Sequence, residues 1–263
     1  MLPGPVYIVS DIHLGFADAA VERQLLAFLK RIPTMAAALV INGDLFEFWF
    51  EWRSVIPKAG YRVLAALADI RECGTPVLMI AGNHDCWGGS VLREDVGLDY
   101  QLGPWTGSLA GWRCRIEHGD GLRGREDRGY RAIRPVLRNR LAMRAFRWLH
   151  PDVATPLATH SSHASRSYVP SDGGSGLRAA AHRNLSAQPD LELLVYGHSH
   201  VAALERSSAG VYANAGSWLD RPSYLRVTDD RIALREWQGS AESADLHSLD
   251  RTAEKALPKL EKL

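Results

Sequence analysis

The sequence predicts an α/β fold, and three features predict it. Short β-branched runs alternate with helical apolar stripes through the first third of the chain and return near its end. A short polar motif directly follows each of five predicted strands. One long basic segment interrupts the alternation in the middle.

The elements follow in order. Pro5–Ser10 reads PVYIVS, a buried strand. Ala19–Lys30 places Val21, Leu25, Phe28 and Leu29 at helical spacing. Ala37–Asn42 is a second strand, Tyr61–Ile70 a helix with an apolar stripe, and Pro76–Ala81 a third strand. Arg113–Glu117 is a strand in a more β-rich stretch. Arg128–Leu149 reads as a long basic helix with a break expected at Pro135. Thr159–Gly176 is polar and contains the loop SDGGSG, and Leu177–Ser186 is a further helix. Strands resume at Leu191–Tyr196, Val211–Asn214, Tyr224–Val227 and Ile232–Glu236. The simplest organisation is a core of residues 1–120 and 188–238, a helical insertion of 121–187, and a charged, weakly patterned tail of 239–263.

Composition sets bounds on function. A hydrophobic share of 46% and a charged share of 23% are those of a water-soluble globular chain. No apolar run approaches the roughly 20 residues that span a bilayer. Residues 1–9 lack the basic and apolar regions of a signal peptide. Three cysteines without Cys-x-x-Cys spacing argue against a disulfide framework and for a reducing cytosol. The net charge of +1 conceals an asymmetry: residues 121–187 hold twelve Arg against four acids, a formal +8, which leaves −7 elsewhere. Such a segment suits an anionic partner, or is a solvated helical face.

The five motifs are Asp11-Ile12-His13, Gly43-Asp44, Gly82-Asn83-His84-Asp85, His118-Gly119-Asp120 and Gly197-His198-Ser199-His200. In an open α/β sheet, ligands gather beyond the carboxyl ends of strands, so five such loops can converge. Imidazole and carboxylate together suit Mn, Fe, Zn or Co better than Mg alone. One carboxylate can bridge two cations about 3.5–4 Å apart, as in two-metal hydrolases. Each motif alone carries little weight, since Asn and Asp are also turn formers. Their joint occurrence after strands is the signal. There is no Gly-x-Ser-x-Gly or reactive-cysteine context to supply a protein nucleophile.

This set resembles the motif set of the calcineurin-like metallophosphoesterases over roughly residues 6–220. The resemblance implies a four-layer α/β/β/α sandwich and a pair of divalent ions. It implies that Asp11, His13 and His200 hold one ion, that Asn83, His118 and His198 hold the other, and that Asp44 bridges them. His84 would stand near the leaving group, as acid or phosphate-binding cation, with Asp85 orienting it. The chemistry of such a set is attack of activated water on phosphorus, in line with the leaving oxygen.

The substrate must come from the rest of the chain. Residues 45–52 read LFEFWFEW, with five aromatics beside a candidate ligand. They form either an apolar wall for a lipid or base, or core packing. Residues 146–151 read FRWLHP and mix aromatic and basic groups, as interfacial segments do.

Three stretches sharpen the resemblance: residues 43–49, residues 118–122 with Asp127 and Tyr130, and residues 147–152. They are similar to those of the UDP-2,3-diacylglucosamine pyrophosphatases of lipid A synthesis, which carry a helical lid where 121–187 lies. That likeness implies a lipid-linked nucleotide substrate cut to UMP and 2,3-diacylglucosamine 1-phosphate, Mn²⁺ as the metal, and a cytoplasmic enzyme attached peripherally to the anionic inner-membrane surface. It makes Asp127, Tyr130 and Arg166 candidates for contacting glucosamine or phosphate. One departure is His84, where many members of that group carry Arg. The alternatives are a hydrolase of a soluble nucleotide, phosphodiester or phosphoprotein, a non-catalytic scaffold of the same fold, and a nucleic-acid enzyme. The filled ligand set opposes the scaffold. The lack of base-stacking repeats opposes a nucleic-acid partner.

Overall fold

The computed structural model describes residues 1–168, 172–239 and 244–251, with the side chains of 160–168 outside that description. The chain runs β1 (Val6–Val9), α1 (Ala19–Leu29), α2 (Ile32–Met35), β2 (Ala38–Asn42), α3 (Tyr61–Glu72) and β3 (Val77–Ile80). A π-type turn over Val91–Asp95 leads to β4 (Asp99–Gln101), β5 (Trp105–Leu109) and β6 (Trp112–Ile116). Next come α4 (Arg128–Leu137), α5 (Arg140–Phe146), α6 (Pro151–Tyr168) and α7 (Ser175–Ala187). Strands then return as β7 (Leu193–Tyr196), β8 (Ala203–Ser207), β9 (Gly210–Asn214), β10 (Ser223–Val227), β11 (Arg231–Glu236) and β12 (Asp245–Asp250).

Two sheets form, one ordered β12-β11-β10-β1-β2-β3-β4 and the other β5-β6-β7-β9-β8. Strand alternation divides the apolar side chains into three layers. Val6 and Ile8, Ala38 and Val40, and Leu78 and Ile80 face between the sheets, where they meet Trp112, Cys114, Ile116, Leu193 and Val195. Tyr7, Val9, Leu39, Ile41 and Met79 face outward against Leu25, Phe28 and Leu29 of α1 and Val63 and Leu67 of α3. Leu194 and Tyr196 face the other way, against Leu177, Ala181 and Leu185 of α7. Each fully buried aliphatic side chain here contributes about 1.5–3 kcal/mol. The arrangement is the expected four-layer α/β/β/α sandwich.

Within the large sheet β1, β2, β3 and β4 are parallel, and within the small one β6, β7 and β9 are parallel. Five of the loops that follow these strands carry the five motifs.

Several elements differ from expectation. The basic helix divides at Arg138–Asn139 rather than at Pro135. Pro135 falls in the last turn of α4, and the Asn139 side chain starts α5 by accepting from Leu141 N and Ala142 N. The polar stretch Thr159–Gly176, given no element of its own before the SDGGSG loop, is helical as far as Tyr168, continuing a helix that opens on Pro151. Helix α7, assigned by sequence to the insertion, packs on the small sheet. The segment 239–263, left without a fold, supplies β12 at the edge of the large sheet. Among the described residues no helix is long and apolar enough to cross a membrane.

Candidate metal centre

The strands end in β-branched runs and then release the backbone into a conformation L-residues seldom adopt. Among the described non-glycine residues, six have positive φ, and five of these are Asp11 (54°), His13 (54°), Asp44 (52°), His198 (61°) and His200 (60°). Asp and His tolerate this region better than most residues, at about 1–3 kcal/mol each. Such strain at five candidate ligands marks a site shaped for something other than stability. Glycines make the room. A Cβ on Gly82 would fall 2.1 Å from Asp44 Oδ1, and one on Gly43 would fall 2.3 Å from His118 Nδ1.

The loops are stitched together by backbone. Ile12 N and His13 N donate to Asp44 O, Leu14 N to Leu45 O, and Glu47 N to Leu14 O. Trp49 N donates to His84 O, and Gly197 N to His118 O. Side chains then converge on Asp44. Its Oδ2 lies 3.1 Å from His118 Nε2 and 3.9 Å from both His13 Nε2 and His84 Nε2. Its Oδ1 accepts from His84 N at 3.0 Å. His200 Nε2 lies 3.4 Å from Asp11 Oδ1 and 3.2 Å from His13 Nε2. Both Asp11 oxygens accept from His198 N.

Three triads in the described residues bring ligand atoms within 4.8 Å of one another: Asp11 with His13 and His200, His13 with Asp44 and His84, and Asp44 with His118 and His198. The first triad holds the three residues expected at one ion, the third holds His118 and His198 of the other with Asp44 in place of Asn83, and Asp44 belongs to the second and third. Asn83 stands between Gly82 and His84. Its Oδ1 is buried without a hydrogen-bond partner among the described residues. A buried acceptor left bare costs stability unless a cation or donor meets it. With the glycine clearances and the imidazole–carboxylate donor set, it fits a pair of divalent cations.

Electrostatics agree with the geometry. Burial alone would raise the Asp44 carboxyl, but His118, His84 and His13 outweigh it and hold it well below the usual carboxylate range. Burial works against a charged His118, yet Asp44 and Asp11 lift it well above the ordinary imidazole value. Burial lowers His200 despite the pull of Asp11. Asp85 is raised to about 7, first by burial and then by the Asp44 charge.

Not every expected role appears. The Asp85 carboxylate accepts from Leu45 N and Gly82 N and so staples two loops together. The orienting partner of His84 is instead the Glu47 carbonyl, 2.8 Å from its Nδ1. Asp127 does reach the site. It is buried, pairs with Arg123 at 2.9 Å, and lies 3.4 Å from His198 Nε2. Tyr130 is tied to Asp120 and Arg138. Arg166 lies on α6 where side chains fall outside the described residues. Two neighbours of the site were not singled out from sequence. Arg123 places a terminal nitrogen 3.2 Å from His198 Nε2, and Glu47 Oε2 sits 3.1 Å from His13 Nδ1. A signal for Glu47 was present: an acid within a buried aromatic run needs a partner.

The aromatic run resolves into packing. Phe46 and Trp49 stack in the outer core. Phe48, Phe50 and Trp52 form a separate cluster with Ala154, Trp87 and Phe146, which fastens the insertion to the core. Trp52 Nε1 donates to Leu149 O and Trp87 Nε1 to Leu137 O, pinning the chain on either side of α5.

The Calcineurin-like phosphoesterase family model matches residues 4–202. A UDP-2,3-diacylglucosamine hydrolase of Porphyromonas gingivalis is 35% identical over 165 residues, covering 61% of this chain and 63% of that relative. One from Xanthomonas oryzae pv. oryzae is 27% identical over 248 residues, covering 87% of this chain and 97% of that relative. Among solved structures, Yfce, a phosphoesterase from E. coli, superposes with a TM-score of 0.50 at 17% identity, covering 94% of this chain and 98% of that one, a likeness of fold alone. The chain belongs to the calcineurin-like phosphoesterases, metal-dependent hydrolases that use a pair of divalent ions.

Proposed function

We propose that the protein hydrolyses the pyrophosphate bond of UDP-2,3-diacylglucosamine, releasing UMP and 2,3-diacylglucosamine 1-phosphate. Asp11, His13 and His200 hold one divalent ion and Asn83, His118 and His198 the other, with Asp44 shared and Mn²⁺ the working metal. The pair supplies charge neutralisation at the phosphate oxygens and makes water nucleophilic near neutral pH.

The chain's own groups do the rest. Donation from Nδ1 to the Glu47 carbonyl turns His84 Nε2 toward the site, where the imidazolium form would hand its Nε2 proton to the leaving oxygen. Arg123, held by Asp127, presents a guanidinium beside His198 for a phosphate oxygen. The strained loops hold the ligands in place before substrate arrives.

One observation carries the choice of substrate. The insertion is basic, is fastened to the segments that follow Asp44 and Asp85 through Phe48, Phe50, Trp52 and Trp87, and leaves Ile133, Val136, Leu141, Trp148, Val153 and Leu157 exposed, Trp148 at 87%. Apolar side chains among Arg140, Arg144 and Arg147 suit a twin-acylated substrate at an anionic membrane surface. The protein would then attach peripherally to the cytoplasmic face of the inner membrane. The relatives named UDP-2,3-diacylglucosamine hydrolase support the same reading.

The test is incubation of purified protein and Mn²⁺ with UDP-2,3-diacylglucosamine in mixed micelles, with UMP as the readout. Release of UMP with retention of the lipid 1-phosphate is expected. His84 favours a second reading, a hydrolase of soluble phosphodiesters. Faster turnover of a soluble chromogenic diester than of the micellar lipid would select it.

A further inference from the structure

Glu47 touches two functional histidines at once. Its Oε2 lies 3.1 Å from His13 Nδ1, and its main-chain carbonyl lies 2.8 Å from His84 Nδ1. The side chain is buried, and its other oxygen lies 3.9 Å from the same His84 nitrogen. Its position is fixed by backbone on both sides. Glu47 N donates to Leu14 O, and Trp49 N donates to His84 O. Phe46 and Trp49, stacked and fully buried, clamp the segment from the core.

We infer that Glu47 is the positioning residue of this centre: its carboxylate sets the tautomer and basicity of His13, and its carbonyl sets the ring orientation of His84. With Nδ1 donating to a carboxylate, the His13 proton is fixed there. Nε2, 3.9 Å from Asp44 and 3.2 Å from His200 Nε2, is left as the free electron pair. A carboxylate behind a ligating imidazole raises its donor strength, and loss of such a partner costs about 10- to 100-fold in metal affinity or activity. The same carbonyl contact leaves Nε2 of His84 as the nitrogen that faces Asp44. One residue therefore couples the ion held by His13 to the group that serves the leaving oxygen. The sites of His118 and His198 have other partners, Asn42 O and Asp127. The effect of Glu47 belongs to one ion and not to both.

The inference rests on the two-ion reading above, and titration of metal-free protein with Mn²⁺ alone separates the two. Wild-type protein should bind two Mn²⁺. Binding of none would overturn that reading and this one together. Glu47→Ala should weaken one site by about 100-fold and leave the other unchanged, and Glu47→Gln, which keeps an acceptor oxygen without the charge, should weaken the same site by about 10-fold. At a Mn²⁺ level that fills only the tighter site, electron paramagnetic resonance of either variant should show isolated Mn²⁺ in place of a coupled pair. Glu51→Gln is the structural control. Glu51 is a buried acid in the same loop that accepts from Gly89 N, Val91 N and Leu92 N, so its loss should lower Tm with both sites intact. Wild-type affinity at both sites in a Glu47 variant, equal weakening of both sites, or the same one-site loss in Glu51→Gln would overturn the assignment.

Discussion

The Asp44 carboxylate meets the His118 imidazole at 3.1 Å although 74 residues of chain separate them. The two belong to different sheets. Their contact closes the upper edge of the sandwich at one point, and the remaining candidate ligands gather around it.

Asp44 is the residue most expensive to lose. Asp44→Ala should cut Mn²⁺ content from two per chain to below one. It should reduce turnover by more than about 100-fold, the upper figure for loss of a mere supporting partner. Metal analysis on the purified variant, beside its rate, checks both. A variant that keeps two ions denies Asp44 its shared position.

His84 should behave differently. His84→Ala is expected to slow turnover by about 10²- to 10⁴-fold, the range for a general acid, with Mn²⁺ content near that of wild type. Loss of both ions in this variant would make His84 a ligand instead.

Metal should also stabilise the fold, because an unfolded chain cannot bring the five loops together. At 100 times Kd the gain is about 2.7 kcal/mol. That corresponds to a rise in Tm of roughly 5–10 °C for a chain of this size, reversed by a chelator. Differential scanning calorimetry with and without Mn²⁺ reads it directly. An unchanged Tm would speak against a preformed site.

The aromatic cluster should hold the insertion down. Phe50 is fully buried between Trp52, Trp87 and Phe146. Phe50→Ala should cost about 3–5 kcal/mol of local stability. It should also expose residues 121–168 to protease well before the sandwich is cut. Limited proteolysis with mass mapping would show it. Unchanged protection of the insertion would mean that other contacts hold it.

Thiol chemistry gives an independent check on the core. Burial pushes the Cys86 thiol up to about 12 and Cys114 well above the usual thiol range, while Cys73 is exposed. At about pH 8, near the ordinary thiol value, a maleimide should label one cysteine per folded chain and three after denaturation. Rapid labelling of Cys114 would place it outside the inter-sheet layer.

Much of this was legible in the sequence, for physical reasons. β1, β2, β3 and β7 are buried on both faces and so read as unbroken apolar runs. The ligand motifs stand directly after these strands and after β6 because the chain must turn there. β8 and β12 were missed because ALERS and DLHSLD carry little apolar pattern, and pairing with β9 and β11 makes them strands. The orienting role of Asp85 came from the family resemblance alone, and no local pattern in the sequence tested it. The tight turn instead spends that carboxylate on backbone N–H groups of Gly82 and Leu45. Glu47 was hidden because an aromatic run draws attention to its rings.

The most direct measurement is anomalous diffraction from crystals grown with Mn²⁺. Two peaks about 3.5–4 Å apart, one on each side of the Asp44 carboxylate, are expected, the first against Asp11, His13 and His200 and the second against Asn83, His118 and His198. A single peak, or two peaks that do not share Asp44, would contradict the account.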